Sequence, residues 1–205
     1  MRKLNKLLKN LKMTKTYTTK QSVLKEAERI LGRSLRDVMV DDGVDIEEIE
    51  QKLLQYGNRR KGLLGELVEE FVFGLDVNNR AEADFMPIGI ELKTNPIKEH
   101  PTKAFISKER LVFSMINYDE VINETWKTCS FLKKNKMLLL MFYLWLKEQN
   151  ILDYKFKFIH LLDLLNGLSD EDVYQIQKDW DYIVSKIRRG EAHLLSEGDT
   201  YYLGA

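Results

Sequence analysis

Apolar residues recur at helical spacing along several stretches of the chain and alternate with polar ones along others. After a capping-box signal at Thr18-Thr19-Lys20-Gln21, the residues Val23, Leu24, Ala27, Ile30 and Leu31 fall on one helical face, and Gly32 stops the run. A second helix is predicted over about Ile46 to Gln55, ended by Tyr56-Gly57-Asn58. A third runs from about Gly62 to Phe73, with Leu64, Leu67, Val68, Phe71 and Val72 as its stripe. Gly62 and Gly65 in it permit close backbone approach. Ser169-Asp170-Glu171-Asp172 opens a final helix with Val173, Ile176, Trp180, Ile183 and Ile187 on one face, closed by Gly190.

Strand signals lie between these helices. Ile90 to Lys93 alternates apolar and charged residues, and Asn95-Pro96 closes that strand. Pro101 to Lys108 reads as polar loop, and Arg110 to Tyr118 as a further strand. Asn117 to Leu132 reads as helix or loop around Trp126, and Lys133-Lys134-Asn135-Lys136 as a basic turn. Met137 to Leu146 is a continuous apolar run, a buried strand or the start of a core helix. Tyr154 to Ile159 alternates like a strand, and Tyr201-Tyr202-Leu203 suggests a last one. At the other end, Leu4, Leu7, Leu8 and Leu11 share a face in a lysine-rich stretch. This suits either an arm that touches DNA or membrane or a solvated extension, and the extension is favoured. The expected organisation is a flexible extension over 1–15 and one domain over 16–205.

Composition narrows the classes. A chain of 205 residues can bury a sizeable core. Cys129 stands alone, which excludes a disulfide framework or zinc ribbon and suits a reducing cytoplasm. The longest apolar run is ten residues, too short for a bilayer, so no membrane partner is expected. No phosphate-cradling glycine loop is present, and no nucleotide cofactor is expected. His100, His160 and His193 have no zinc spacing. Formal net charge is zero, yet charge is segregated. No acid precedes Glu26, Asp41 to Glu50 holds six acids and no base, and Lys127, Lys133, Lys134 and Lys136 form a second basic group. Phosphate can therefore bind locally despite the neutral total.

The chemistry gathers at Asp84-Phe85-Met86-Pro87-Ile88-Gly89-Ile90-Glu91-Leu92-Lys93-Thr94, read as two short strands joined by a turn at Met86-Pro87-Ile88-Gly89. Glu91 and Lys93 share a strand face, and the hairpin swings Asp84 beside them. Two carboxylates and an amine on one rigid patch suit metal-assisted phosphodiester hydrolysis. The same residues also suit a surface hairpin with an ordinary salt bridge. Two similar triplets lack this setting. Glu50-Gln51-Lys52 lies in a helix, where i and i+2 diverge. Asp153-Tyr154-Lys155 has no acid on a preceding arm. Glu69, bordering the apolar stripe of the third helix, adds a third carboxylate.

These residues resemble a family. Lys61-Gly-x-x-Gly, Glu69, Asp84-Phe85 and Gly89-Ile90-Glu91-Leu92-Lys93-Thr94 look like the MutH and Sau-three-AI family of GATC-specific endonucleases, a branch of the PD-(D/E)XK nucleases. Ser107 to Val112, Ile116-Asn117-Tyr118, Ser130-Phe131-Leu132, Asp179-Trp180 and Leu195 to Gly198 look like its restriction branch. The resemblance runs from Thr18 to the end. It implies an α/β, restriction-endonuclease-like fold with a mixed central sheet flanked by helices. It implies a type II restriction enzyme that cuts double-stranded DNA at GATC and leaves a 5′-phosphate, with a repair nickase or a non-cutting DNA-binding module as alternatives.

The resemblance also implies roles. Asp84 and Glu91 would ligate Mg2+ with the Leu92 carbonyl, and Glu69 would complete the cluster. Mn2+ would substitute, and Ca2+ would bind without supporting cleavage. Lys93 would be the catalytic lysine and Lys134 a second. Lys61, Gly62 and Lys134 would approach the DNA. Family members continue beyond the final Tyr-Leu segment into a basic, sequence-reading stretch and a C-terminal effector domain; this chain stops at Ala205.

Three clustered carboxylates repel, each pair by about 4 kcal/mol at about 4 Å and an effective dielectric of about 20. A bound cation offsets this. Magnesium or calcium is therefore expected to raise the melting temperature, and a melt unmoved by either ion counts against the cluster.

Overall fold

The computed structural model describes residues 15–56, 62–76 and 82–204. Residues 1–14 and Lys61, which carry the N-terminal leucine face and one DNA-contact expectation, lie outside them. The described strands are β1 (Ile90–His100), β2 (Ala104–Ser107), β3 (Met137–Leu144) and β4 (Phe156–Asp163), in the order β2-β1-β3-β4. β1 and β3 run parallel, with Glu91 opposite Leu138 and Lys93 opposite Leu140. The two outer pairings are antiparallel. Among the described residues no helix is long and apolar enough to cross a membrane.

The apolar run from Met137 is thus a strand, covered on both faces. Leu139 and Met141 face a core built with α1 (Lys20–Glu28), α2 (Leu35–Asp41), α3 (Ile46–Tyr56) and α4 (Leu63–Leu67). Leu138 and Leu140 face a second core, built with α7 (Asp170–Arg188) and other helical turns. α5 (Tyr118–Val121) and α6 (Ser130–Asn135) contribute Val121 and Leu132 to that second core.

Several boundaries differ from those predicted. The first cap falls at Thr19, whose hydroxyl accepts from Ser22 N–H, one residue beyond Thr18. α2 was not predicted, although Ser34 and Asp37 form its capping box. α4 continues directly into a π-helical turn, Val68–Val72, which carries Glu69. Gly62 adopts φ +83° at the start of α4 with open space around it, so only Gly65 makes a close approach. A Cβ at Gly65 would stand 3.1 Å from Thr94 Oγ1, so the helix lies directly against β1. Lys15 Nζ caps the far end of the π turn, donating to the Val72 carbonyl at 2.9 Å while bound to Glu26.

β1 does not close at Asn95-Pro96 but continues to His100. Its outer edge explains this. Ile90 O accepts from Phe85 N, Leu92 N donates to Asp84, and Pro96 O accepts from Lys108 N, so even-numbered residues face outward. Pro96 lacks a donor on that edge at the very end of the β2 pairing, where its O accepts from Lys108 and only the reciprocal bond is forgone. The predicted loop over Pro101 to Lys108 contains β2. The predicted strand over Arg110 to Tyr118 is irregular up to Asn117 and enters α5 at Tyr118, because the hairpin and β2 already occupy the β1 edge. The basic turn at Lys133 to Lys136 is mostly the end of α6, capped at its start by Cys129 Sγ. Phe158 of β4 meets Phe105 of β2 edge to face at 5.4 Å.

Tyr201 to Leu203 forms no strand. Its three successive N–H groups converge on Asp179 Oδ2 at 3.1, 2.5 and 3.0 Å, whereas strand N–H groups alternate sides. Burial raises the Asp179 pKa, but these bonds and Gln175 outweigh it and hold the carboxyl below its ordinary value. Its stabilisation is therefore present above the ordinary Asp range and lost as pH falls through the lower folded value. Replacing Asp179 with Ala strands these donors and is expected to cost about 1–3 kcal/mol, read as a lower denaturation midpoint.

Candidate active site

The Asp84 hairpin is tight. Phe85 N–H donates to Ile90 O at 2.9 Å, and Gly89, at φ +66°, returns its N–H to Phe85 O at 2.9 Å. Its first arm is one bridged residue rather than a strand. The buried Phe85 ring sets the hairpin in place, lying edge to face with Tyr17 at 5.3 Å and Phe73 at 5.1 Å. Phe73 immediately follows the π turn. One aromatic trio thus joins the segment bearing Glu69 to the segment bearing Asp84.

Asp84 Oδ2 accepts the Leu92 N–H at 2.8 Å, which turns the carboxyl along the β1 edge. Strand geometry turns the Leu92 carbonyl to the same edge. Glu91 is 3% exposed. Its Oε1 meets Lys93 Nζ at 2.9 Å and Lys134 Nζ at 3.6 Å. Lys93 Nζ also donates to the Phe113 carbonyl at 2.8 Å. The predicted residues Glu69, Asp84, Glu91, Lys93 and Lys134 are therefore brought to one region. Gly62 lies at the start of α4.

The two similar triplets serve other purposes. Glu50 binds Arg36 and Asn150, Lys52 binds Glu48, and Asp153 binds Arg36. Phe113 was missed because it acts through a backbone carbonyl, for which residue type gives no signal. Asn95 was missed too; it is buried on the Glu91–Lys93 face and donates to Ser107 Oγ at 2.6 Å.

Burial and neighbouring charge raise two of the acids. Burial, then the Glu91 charge, pushes Asp84 up to about 7 against the Leu92 N–H and Lys93. Burial, then the charges of Asp84, Glu91 and Glu66, pushes Glu69 up to about 8. Glu91 Oε2 is buried and accepts no hydrogen bond. The Glu91 side chain and its charge both raise the Asp84 pKa, so the two carboxyls are near neighbours, and two ionised carboxylates offer no donor between them. Among the described residues, no three His, Cys, Asp or Glu side chains gather closely enough to ligate one ion. The paired Asp84 and Glu91 still fit a hard divalent cation, which needs one or two carboxylates alongside water and phosphate oxygens. The orphaned Glu91 oxygen supplies the reason.

Both raised values carry a sign. A carboxyl whose folded pKa lies above its unfolded one stabilises the fold below the unfolded value and loses that contribution as pH rises. The chelator-treated protein is expected to lose stability between about pH 4 and about pH 8, as Asp84 and Glu69 ionise. The stabilisation added by Ca2+ should grow over the same range. Melts at pH 5 and pH 8.5 with and without Ca2+ check this, and equal Ca2+ shifts at both pH values contradict it.

A model of the family described as DNA mismatch repair enzyme MutH matches residues 73–179. That span includes Asp84, Glu91, Lys93 and Lys134 and begins after Glu69. The type II restriction enzyme Sau3AI of Staphylococcus aureus is 34% identical over 188 residues, which cover 92% of this chain and 35% of that protein. The chain thus spans about a third of that relative's length. With its mixed sheet, hairpin and acidic pair, the chain belongs to the MutH family, as a Sau3AI-like domain of restriction-endonuclease-like fold.

Proposed function

We propose that this chain, over 16–205, is the catalytic domain of a type II restriction endonuclease that hydrolyses double-stranded DNA at GATC with Mg2+. The observation that carries this reading is the arrangement at Glu91. A buried carboxylate on a paired strand holds two amines on one oxygen, its other oxygen is buried without a donor, and the Asp84 carboxyl is a near neighbour. Such an arrangement offers a cation and a phosphate adjoining places.

Asp84 and Glu91, with the Leu92 carbonyl, would hold the ion, and Glu69 would complete the acidic cluster. Bound there, Mg2+ supplies charge neutralisation at the phosphate and acidifies water; Mn2+ would substitute, and Ca2+ would bind without cleavage. Lys93, fixed between Glu91 and Phe113, is placed to orient water and meet charge developing on the phosphate. Lys134 would be the second amine, and Lys61, outside the described residues, and Gly62 would approach the DNA backbone. The rest of the protein would supply an effector domain, consistent with the 35% of the relative that this chain spans. The restriction reading is preferred to a mismatch-repair nickase because identity to the restriction enzyme extends over 92% of the chain. Counting strand breaks on hemimethylated GATC duplexes separates the two.

The test is cleavage of plasmids with and without GATC, in Mg2+ and in chelator. Asp84→Ala and Glu91→Ala are expected to abolish cutting, and Lys93→Ala to slow it about 10²–10³-fold. Full activity in these variants removes the assignment.

A further inference from the structure

The segments that bring the two lysines to Glu91 meet at one aromatic contact. Lys93 is held on its far side by the carbonyl of Phe113, in the irregular segment after β2. Val112 is 58% exposed and Met115 96% exposed. Phe113 turns inward and meets the Phe131 ring edge to face, at 5.3 Å. Phe131 lies on α6, the helix that carries Lys134 to Glu91. Its carbonyl accepts the side-chain amide of the buried Asn135 at 2.9 Å. Its ring stacks on Trp126 at 6.1 Å, and Trp126 meets Trp180 of α7 at 6.0 Å. One line of ring contacts thus runs from the longest described helix to the segments that hold the two amines.

We propose that Phe131 is a positioning residue. By packing Phe113 against α6, it sets the distances of Lys93 and Lys134 to Glu91 together. It touches neither the acids nor a phosphate, and it acts only through the two amines. The inference rests on the nuclease reading for its effect on rate, but the placement of the amines is measurable without it.

Two measurements test it, on Phe131→Ala, on Phe131→Leu as a milder variant that keeps apolar bulk, and on Phe131→Tyr, which keeps the ring. The first is competitive acylation of lysines in the folded protein, read by peptide mass spectrometry. Lys93 and Lys134 are expected to label several-fold faster in the Ala or Leu variant. Lys15 and Lys186, held by Glu26 and Glu191, should keep their wild-type rates, and the Tyr variant should label like wild type. Unchanged labelling of Lys93 and Lys134, or faster labelling of all four lysines alike in Phe131→Leu, overturns the proposal.

The second is steady-state cleavage. Displacement of the amines is expected to lower kcat roughly 10- to 100-fold, with KM for DNA and Ca2+ affinity within about threefold of wild type. The Tyr variant should restore kcat. Wild-type kcat in Phe131→Leu overturns the positioning role. A wild-type protein that never cuts DNA overturns the nuclease reading instead, while the labelling result still decides where Phe131 acts.

Discussion

Removing the Glu91 carboxylate from water is the condition around which the fold is arranged. A carboxylate so deeply buried costs several kcal/mol unless charges and donors meet it. The partners come from separate places: Lys93 from the same strand, Lys134 from the helix before β3, and Asp84 from a hairpin folded back on the β1 edge. Each holds its position only if the parallel pairing of β1 with β3 has the observed register. A slip of one residue would turn Glu91 to the opposite face, among the leucines of the first core.

The arrangement remains electrostatically incomplete. Two lysines meet one Glu91 oxygen, and the other is buried without a donor. The acids stay near one another because burial and packing hold their backbones there, and the aromatic trio of Tyr17, Phe73 and Phe85 supplies much of that packing. The raised Asp84 and Glu69 values measure how far the site departs from what the acids would adopt alone. Function and stability oppose each other at these atoms.

Much of this was legible in the residues. Helices with a clear apolar period were found because burial of one face decides their conformation. The Glu91–Lys93 pair was found because strand side chains alternate. Three kinds of error had physical causes. Pro96 was read as a strand end, yet its missing donor falls at the end of the β2 pairing, where a single reciprocal bond is forgone. Arg110 to Tyr118 and Tyr201 to Leu203 have strand-like composition, but one finds its edge occupied and the other gives its N–H groups to Asp179. α2 was missed because it is only seven residues long, although its capping box was visible. The Phe113 carbonyl could not be read at all, since every residue has one.

The parallel pairing of β1 and β3 also bears on how the molecule is made. Parallel neighbours cannot be joined by a tight turn, and here β2, α5 and α6 intervene. A chain emerging from the ribosome therefore completes the Asp84 hairpin long before Lys134 and β3 exist to receive Glu91. Contacts of such sequence separation form late in folding. Until then the acids remain solvated and apart from the second lysine. The same topology that buries the carboxylate thus delays assembly of the whole constellation until the central sheet has closed.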